Sequence, residues 1–370
     1  MTGAPGRSPR CCPSFQRQAK ELGLWNLFLP DARWGGPGLS NRDYVPIAEE
    51  MGRVVWASEV FNCAPPDAGN IDVFVDFGTA EQQDRWLPGL LDGSVRSAFL
   101  VTEPGVSSSD PTNLTTRIRR DGDHYVIDGL KWFGTGVMHP DCAVWLVMGA
   151  TDPDGEPHRR QSVVLVDPSA PGITVGPCQT VFTETHAPGG HAQVRFEGVR
   201  VPMTNIVHVE GGGFEVAQAR LARGRMHHCM RVLGLAERAL ELTCARLSER
   251  STFGQRLADN AHWQQVIGRC RIEIESARLL VLHAATRMDE VGDRRASREI
   301  AMAKVAVPGT AQRVIDRAIQ AFGAEGLHHD PGLPAMYSYA RWIAIADGPD
   351  EVHARTVARH ELRPHRPATR

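Results

Sequence analysis

Residues 124–133 read HYVIDGLKWF, a short run of β-branched and aromatic residues that is typical of a β-strand. Gly, Pro and Asp residues separate it from four later runs of the same kind, which read CAVWLVMGA, QSVVLVD, GITVGP and AQVRFEGVRVP. Short strands divided by turn residues indicate an all-β segment. We therefore predict a β domain over residues 96–206.

Helical periodicity flanks this β segment on both sides. Between Glu21 and Leu91 apolar residues recur at helical spacing, as in YVPIAEEMGRVV and AEQQDRWLPGLL. Strands and helices do not alternate, which disfavours a parallel βαβ architecture. We predict an α+β fold with a helical N-terminal domain (1–95), the β domain, and a C-terminal helical bundle (207–370). One long helix of this bundle is predicted to bury a stripe formed by Trp263, Val266, Ile267, Cys270, Ile274, Ala277, Val281 and Ala284.

Charge and hydropathy argue against several classes of function. The 41 basic and 43 acidic residues of the 370-residue chain nearly balance, so the net charge indicates neither nucleic acid nor an anionic membrane as a partner. We expect no membrane span, since no apolar run approaches the roughly 20 residues that cross a bilayer. Three of the basic residues are lysines, Lys20, Lys131 and Lys304. We attribute this bias towards arginine to a GC-rich genome.

Cysteine usage and the N-terminal sequence bear on the compartment. The eight cysteines are scattered, and the vicinal pair Cys11 and Cys12 suits neither a disulfide framework nor a CxxC metal site. We therefore expect a reducing compartment. Residues 1–18 lack the apolar core of a secretory signal. We expect a disordered start, while the arginines and the missing acids of this segment leave a short transit peptide open.

Four stretches could hold a flat polar ligand, and each has a simpler explanation. Residues 97–114 end in three serines after a Pro-Gly turn, which suits a ring edge or a phosphate as well as a solvated loop. In residues 128–136 an aromatic pair precedes Gly and Thr. This pattern occurs where aromatic side chains stack on a planar ligand, and it also occurs at ordinary sheet edges. Residues 249–257 join an arginine to a Gly turn, which suits a pyrophosphate or a helix C-cap. The Gly-x-x-Gly in residues 318–327 is weak by itself.

The sequence offers no basis for metal, acyl-serine or nucleotide-hydrolysis chemistry. His227–His228 and His328–His329 are adjacent pairs, so on a helix their side chains point about 100° apart and do not converge on one ion. We expect these histidines at the surface or at an interface, and we expect no metal site. The sequence has no Gly-x-Ser-x-Gly elbow and no Walker loop.

Six motifs in one order make the chain resemble the acyl-CoA dehydrogenase family from about residue 20 to residue 362. TEPGVSSSD stands for the family's TEPGAGSD, GLKWFGTG for GxKxWITN, and FEGVRVP for FxxVxVP. ERSTFG stands for ERxxFG, QAFGAEG for QxxGGxG, and ADGPDEV for YEGTxxI. The chain is similar to the branch of the family whose members have the sequence ADGPDEVH at this position. Some members of that branch are fused to phosphotransferase-like domains. The resemblance implies the acyl-CoA dehydrogenase fold, with a β-barrel-like middle domain, a C-terminal four-helix bundle and a first family helix that is missing here.

The resemblance also implies an activity and partners. The expected reaction is the FAD-dependent dehydrogenation of a fatty acyl-CoA to the trans-2-enoyl-CoA, with an electron-transfer flavoprotein as acceptor. The expected assembly is a homodimer or a dimer of dimers, in the cytoplasm of a bacterium or the mitochondrion of a eukaryote. Three alternatives stay open. They are an acyl-CoA oxidase, a nitroalkane-oxidase-like flavoenzyme with an aspartate base, and a flavin-binding homologue without turnover.

Asp347 occupies the position of the glutamate that, in the common family pattern, removes the α-proton of the acyl thioester. Some members carry their base instead just before the arginine that matches Arg225, and that position is Gly224 here. The alternative base is therefore absent, and the resemblance assigns the role to the shorter aspartate, with Glu351 as the next candidate. The competing interpretation of Asp347 is an N-cap of the following helix, with Pro349 near its first turn.

The resemblance assigns the other contacts position by position. Substrate contacts fall to Ser109, Arg225 and Gly348, where the glycine would let the backbone approach the ligand without a Cβ. Four of the implied FAD contacts belong to the neighbouring subunit's flavin, so the flavin site would lie across a dimer interface; they are Arg250, Phe253, Gln320 and Gly323. The remaining implied FAD contacts are Phe99, Val101, Thr102, Ser108, Ser109, Phe133, Thr135, Pro349 and Glu351.

Overall fold

The predicted order of helices, sheet and helices is present in the computed structural model, which describes residues 12–185 and 189–365. Four helices come first: α1 (Cys12–Glu21), α2 (Asn41–Gly52), α3 (Asp67–Phe77) and α4 (Ala80–Asp92). The Ser40 side chain accepts from an amide in the first turn of α2, and Thr79 and Gln82 form a reciprocal capping box on α4. The expectation of a disordered start over residues 1–18 is wrong for residues 12–18, which lie in helix α1, and its residues 1–11 lie outside the described residues. The missing first family helix stays a prediction.

An eight-stranded, largely antiparallel sheet follows these helices. Its strand order is β6-β7-β3-β2-β4-β5-β8, and β1 pairs with β4 in parallel. The strands are β1 (Arg96–Leu100), β2 (Arg117–Asp121), β3 (His124–Thr135), β4 (Cys142–Ala150), β5 (Gln161–Val166), β6 (Ile173–Gln179), β7 (His191–Pro202) and β8 (Ile206–Val207).

Large aromatic and branched side chains form the core of the sheet. Trp145, Tyr125 and Phe196 are among the largest fully buried side chains of the molecule. The Trp145 and Phe196 rings meet edge to face, with 6.3 Å between their centroids. Ala98 and Leu100 of β1 belong to the same buried cluster, so the strand that precedes the TEPG turn is anchored in this core.

The pairing of β3 with β7 breaks at the aromatic pair of the GLKWFGTG motif. The register shifts between Lys131 and Gly134, so Trp132 and Phe133 lie in a bulge. Phe133 has a φ of 51°, and 36% of the Trp132 surface is exposed. A bulge turns side chains out of the regular alternation of a strand. The aromatic pair is thereby presented at the surface of the sheet rather than in its core.

Five helices complete the chain: α5 (Gly213–Glu249), α6 (Ala261–Val291), α7 (Ser297–Phe322), α8 (Leu333–Ile343) and α9 (Asp350–Leu362). Two short strands, β9 (Ser251–Thr252) and β10 (Gln255–Arg256), form a hairpin between α5 and α6. The stripe predicted for α6 is buried from Cys270 to Ala284 and half-buried nearer the start of the helix. None of the described helices is long and apolar enough to cross a membrane.

The chain divides into two compact units. The first comprises the chain up to Gly38 and Glu59–Leu221, and it contains the sheet. The second comprises Leu39–Ser58 and the chain from Ala222 onwards. Helix α2 therefore belongs with the C-terminal helices, although it lies in the N-terminal part of the sequence. The division into three domains at residues 95 and 206 stays a prediction.

Candidate active site

Asp347 lies in the connection between α8 and α9, with its backbone in an unfavourable conformation. Its φ is 57°, and Gly348 follows with a φ of 105°. Left-handed values of φ are uncommon for residues with a side chain and occur often at functional sites. Arg225 of α5 donates from Nε to the Asp347 carbonyl oxygen at 2.8 Å, and His353 Nε2 of α9 lies 3.3 Å from the same oxygen. Two helices thus fix the peptide that carries the carboxylate.

The Asp347 carboxylate lies against α5 and is partly accessible, with 19% of its side chain exposed. Oδ2 is 3.6 Å from His228 Nε2. One helical turn earlier on the same face is Gly224, where a Cβ would be 3.4 Å from Oδ2. A longer side chain at residue 224 would compete with the carboxylate for this space. The family's two positions for a base therefore converge on one place, and only Asp347 supplies a carboxylate there.

Pro349, not Asp347, is the N-cap residue of α9, and no side chain caps that end of the helix. The interpretation of Asp347 as the N-cap is therefore wrong. The left-handed backbone of Asp347 and Gly348 directs the carboxylate to α5 rather than to the free amides of α9.

Lys304 of α7 is completely buried, and its ammonium group binds both ends of the α8–α9 connection. Nζ donates to the Ile343 carbonyl oxygen at 2.5 Å and to the Gly348 carbonyl oxygen at 3.3 Å. Burial lowers the pKa of Lys304, while the negative charges of Asp347 and Asp350 oppose this shift. A compact cation therefore stabilises the loop and its carboxylates from inside the bundle.

The two carboxylates after Gly348 have different surroundings. Asp350 opens α9, and its Oδ1 is buried with no hydrogen-bond partner among the described residues. Burial raises the pKa of the Asp350 carboxyl. Glu351 is exposed to solvent. Within the described residues neither forms a hydrogen bond or ion pair with the Asp347 side chain, and the acid that lies against α5 is Asp347.

The first histidine pair corrects a prediction from the sequence. His227 and His228 are both buried, with 6% and 5% of their surfaces exposed, so the expected surface position is wrong within this chain. The two rings point in different directions, as adjacent helical residues do. His227 meets Tyr44 of α2 edge-on at 5.1 Å, whereas His228 lies beside Asp347. His328 and His329 are exposed, as predicted.

Gly348 has a structural reason beyond the predicted approach of a ligand. A Cβ on this residue would lie 2.9 Å from His353 Nε2, and its φ of 105° strains any other residue. His353 is buried, and this burial, together with the positive charges of Arg225 and Lys304, lowers its pKa to about 4. A neutral His353 ring therefore packs against Gly348 at ordinary pH.

In the first unit, a buried ion pair joins the TEPG turn to the GLKWFGTG strand. Lys131 Nζ donates to Glu103 Oε1 at 2.8 Å and to the Val101 carbonyl oxygen at 3.0 Å. Trp132 N donates to the Thr102 carbonyl oxygen at 2.8 Å. These bonds bring Val101 and Thr102 next to the bulge that presents Phe133. Three of the predicted FAD contacts, Val101, Thr102 and Phe133, are thereby held close together, and a fourth, Thr135, ends the same strand as Phe133.

The other predicted contacts of the first unit have mixed roles. Ser108 Oγ accepts from Glu103 N at 2.8 Å, so this hydroxyl is engaged inside the turn, whereas Ser109 is exposed. Thr135 Oγ1 lies 2.9 Å from His191 Nδ1. The Arg220 guanidinium covers the Phe99 ring at 4.3 Å from the centroid. Of the two serines, Ser109 is the more exposed, and its Oγ lies 3.1 Å from Ser107 Oγ.

In the second unit, the hairpin after α5 exposes the predicted inter-subunit contacts. Phe253 is fully exposed, at 104% of its reference surface, and has a φ of 49°. Arg250 and Gln320 are also exposed. Arg246, one turn before Arg250, forms an ion pair with Glu325 at 2.8 Å just beyond the end of α7. The ends of α5 and α7 are therefore adjacent, which places Arg250 on the same side of the bundle as Gln320 and Gly323.

These residues fit the chemistry of FAD. Trp132, which is exposed, and Phe133, which is half-buried, lie in a bulge and offer a stacking surface for a planar ring. The exposed hydroxyls of Thr102 and Ser109 lie on the neighbouring turn. The exposed Arg250 can form paired hydrogen bonds with a pyrophosphate. Among the described residues, no group of three or more His, Cys, Asp or Glu side chains is arranged to hold a metal ion.

Sequence reasoning missed the roles of four residues of this site, and a signal in the sequence pointed to two of them. Lys131 and Lys304 are two of only three lysines in the chain, and both are completely buried. A compact ammonium fits a buried carbonyl cluster better than a planar guanidinium does. The rarity of lysine therefore marked structural positions rather than genome composition alone. His228 and His353 carried no such signal, because their partners are distant in sequence.

Comparisons with known proteins agree with this architecture. Three family models match: acyl-CoA dehydrogenase N-terminal domain over residues 7–94, middle domain over 98–199 and C-terminal domain over 211–362. The mouse protein "Acyl-CoA dehydrogenase family member 10" is 49% identical over 94% of this chain and 33% of its own length. "Probable acyl-CoA dehydrogenase FadE2" of Mycobacterium tuberculosis is 46% identical over 96% of this chain and 86% of its own.

A solved structure shows the same fold. A candidate acyl-CoA dehydrogenase from Mycobacterium abscessus superposes with a TM-score of 0.95 and 47% identity, covering 98% of this chain and 88% of that one. Several relatives are longer, and the chain spans a third to under half of the length of the mouse protein and others like it. The predicted α+β fold with a central sheet is confirmed. Three matching domains in order and this near-complete superposition place the chain in the acyl-CoA dehydrogenase family.

Proposed function

We propose that the chain is an FAD-dependent acyl-CoA dehydrogenase that converts a fatty acyl-CoA to the trans-2-enoyl-CoA, with Asp347 as the base. The observation that carries this proposal is the position of the Asp347 carboxylate. It is partly exposed, lies over the side-chain-free turn at Gly224, and is carried on a peptide that Arg225 fixes. General-base catalysis depends on such a fixed direction towards the proton. Family membership supports the class of reaction and substrate.

The role of Asp347 is to take the α-proton of the acyl thioester. The Cα–H bond breaks, an O–H bond forms at the carboxylate, and the released electron pair forms the Cα=Cβ double bond as hydride leaves the β-carbon. FAD, when bound, supplies the acceptor of that hydride. Arg225 and His353 engage the Asp347 carbonyl oxygen, which keeps the peptide from turning the carboxylate away.

The residues that would hold FAD divide between the two units. In the first, the Thr102 and Ser109 hydroxyls and the Phe133 bulge offer polar and stacking contacts. In the second, Arg250 and Phe253 of a neighbouring subunit would bind the pyrophosphate end. Ser109, Arg225 and Gly348 are the proposed substrate contacts. Since Arg225 Nε already donates to Asp347, its other N–H groups would serve the substrate.

The partners and compartment follow from the same proposal. An electron-transfer flavoprotein would reoxidise the flavin, and the assembly would be a homodimer or a dimer of dimers. The compartment would be the cytoplasm in a bacterium and the mitochondrion in a eukaryote. An oxygen electrode separates this proposal from an acyl-CoA oxidase, because only the oxidase consumes oxygen rapidly during acyl-CoA turnover.

Anaerobic mixing of the FAD-loaded protein with a panel of acyl-CoAs tests the proposed reaction. We expect at least one acyl-CoA to bleach the flavin of the wild-type protein. Asp347→Asn should retain FAD and lose flavin reduction by about 10²- to 10⁴-fold, because the amide cannot accept the α-proton. The measurement is the limiting rate of bleaching in a stopped-flow spectrophotometer.

Glu361→Gln is the matched control, since Glu361 is an exposed carboxylate of α9, the helix that follows Asp347. It should reduce its flavin at close to the wild-type rate. Near wild-type reduction in Asp347→Asn, with loss in Glu351→Gln, would transfer the role of base to Glu351. A wild-type flavin that no acyl-CoA bleaches would overturn the dehydrogenase proposal and favour a nitroalkane-oxidase-like or a non-catalytic flavoprotein.

A further inference from the structure

His228 lies beside the carboxyl group of Asp347, and no family motif quoted above contains it. Its Nε2 lies 3.6 Å from Asp347 Oδ2. Within the described residues Oδ1 of the same carboxylate has no hydrogen-bond or ion-pair partner. The two oxygens are therefore unequal: Oδ2 faces the histidine, and Oδ1 is available to accept a proton.

The groups next to Nδ1, on the other side of the His228 ring, determine which ring nitrogen carries the hydrogen. Nδ1 lies 3.2 Å from Nη2 of Arg231 and 3.4 Å from the Tyr339 hydroxyl. A guanidinium can only donate hydrogen bonds, so Nδ1 must accept from Arg231. The hydrogen of the neutral imidazole is then on Nε2 and is directed at the Asp347 carboxylate. A second proton on Nδ1 would face the Arg231 charge directly.

The ring itself is firmly held. Only 5% of His228 is exposed. Its centroid lies 6.5 Å from that of Tyr339 and 6.2 Å from that of Trp342, so α8 packs against it from the side opposite α5. The charged and titratable groups around the His228–Asp347 pair include Arg225 and Arg231 of α5, Lys304 of α7, and the neutral His353 of α9.

We propose that His228 is a positioning residue, which directs the short Asp347 side chain by donating from Nε2 to Oδ2 and so leaves Oδ1 to take the substrate proton. This inference rests on the proposed function. The distance of 3.6 Å is longer than a hydrogen bond. Hydrogen bonds of catalytic groups are often long before substrate binds and shorten in the complex. A glutamate would reach the substrate with a longer chain, whereas the aspartate depends on direction.

Two amide substitutions test whether the His228 ring acts as a hydrogen-bond donor or only fills space. The Gln amide nitrogen can occupy the place of Nε2, whereas the shorter Asn amide reaches only the place of Nδ1. We expect His228→Gln to keep the limiting rate of flavin reduction within a few-fold of wild type. His228→Asn and His228→Phe should lose about 10- to 100-fold in that rate, with acyl-CoA affinity changed only a few-fold, because the base is misdirected rather than the substrate lost.

The comparison of Gln with Asn decides the outcome even if His228→Phe does not fold. Equal rates in the Gln and Asn variants, or a loss in affinity without a loss in limiting rate, would overturn the positioning role. Bound FAD and the thermal unfolding temperature are measured in each variant, so that a general loss of folding is recognised. A loss of folding in His228→Gln as well as in the other variants would count against the proposal.

A spectroscopic test is independent of turnover and distinguishes a failure here from a failure of the proposed function. Protein labelled with ¹⁵N-histidine should show His228 as the Nε2–H tautomer in a long-range ¹H–¹⁵N spectrum, with the signal assigned by its absence in His228→Gln. The Nε2 resonance should shift in Asp347→Asn and stay unchanged in Glu361→Gln, at an exposed acid of α9. An Nδ1–H tautomer, or no response to Asp347→Asn, would overturn the proposal whether or not any acyl-CoA reduces the flavin.

Discussion

At the scale of single residues, the buried ion pair of Lys131 and Glu103 shows how a charge stabilises the TEPG turn. Lys131 is fully buried, and burial lowers its pKa to about 8 against the attraction of Glu103. Burial alone would raise the pKa of the Glu103 carboxyl, but Lys131 and the donors of Thr115 and Thr116 together lower it to about 2. The ionised carboxylate is thus strongly preferred in the folded state.

Acid should therefore weaken the fold through Glu103. The unfolded chain binds a proton near the ordinary pKa of 4.5, and the folded chain only near 2, so this contribution is complete above pH 4.5 and is lost as the pH falls towards 2. Glu103→Gln should be less stable than wild type at pH 7 by about 3 kcal/mol, because Lys131 loses its counter-charge. Between pH 5 and 3 this gap should shrink by ~2 kcal/mol.

Urea unfolding at several pH values measures the gap. Asp152→Asn, at an exposed loop acid, serves as the control and should leave the wild-type pH dependence intact. A gap between wild type and Glu103→Gln that is constant from pH 7 to pH 3 would show that Glu103 is not preferentially ionised in the folded state.

The sequence predicted some of these residues and missed others for a physical reason. Asp347 could be predicted as the base because it lies in a contiguous motif, where its position matches that of the family's base. His228 was placed at the surface, because the sequence gives no measure of how α5 packs against the connection that carries Asp347. The role of Lys304 was missed, and the scarcity of lysine was attributed to genome composition. The acceptors of Lys304 are backbone carbonyl groups, which every residue has, so no sequence pattern marks them.

At the scale of elements, two glycines let α2 and α5 pack backbone against backbone. A Cβ on Gly52 would lie 1.9 Å from the Arg231 carbonyl oxygen, and a Cβ on Gly234 would lie 1.9 Å from the Glu49 carbonyl oxygen. This close contact holds the face of α5 that carries His227, while the face carrying Gly224 and His228 points to Asp347. The crossing therefore fixes the rotation of α5 about its axis.

Gly234→Ala should destabilise the fold by about 3 kcal/mol or more, since backbone atoms on both helices must move apart. The matched control is Gly268→Ala, at a helical glycine of α6 where a Cβ has open space within 4 Å. That change should stabilise by up to about 1 kcal/mol, because alanine favours the helix. Thermal and urea unfolding measure both effects. Equal effects in the two variants would mean that the α2–α5 contact opens freely.

Periodicity predicted the elements better than their pairing. The α6 stripe and the strands of the sheet were readable because they depend on spacing within a few residues. The bulge at Trp132 and Phe133 was not, because it arises where β3 loses register with β7, some 60 residues later in the chain. The grouping of α2 with the C-terminal helices escaped prediction for the same reason, since only contacts distant in sequence define it.

At the scale of the whole molecule, the hairpin after α5 exposes an apolar surface that is not buried within a single chain. Phe253 is fully exposed in a strained left-handed conformation, and Gly254 follows with a φ of 79°. A large apolar side chain held outward by an unfavourable backbone is typical of a contact with another molecule. Together with the exposed Arg250, this supports the proposal that the hairpin binds the FAD of a neighbouring subunit.

Arg250→Ala should therefore lose bound FAD and the dimer together, because a charge-assisted contact with a pyrophosphate across the interface would hold both. The flavin absorbance that remains after gel filtration reports the cofactor, and light scattering reports the molecular mass. Arg287→Ala is the control, since this surface arginine of α6 pairs with Glu290 at 2.5 Å, and it should keep both FAD and mass. If Arg250→Ala keeps its FAD while the dimer dissociates, the flavin is held within one subunit and the cross-subunit assignment of the hairpin is wrong.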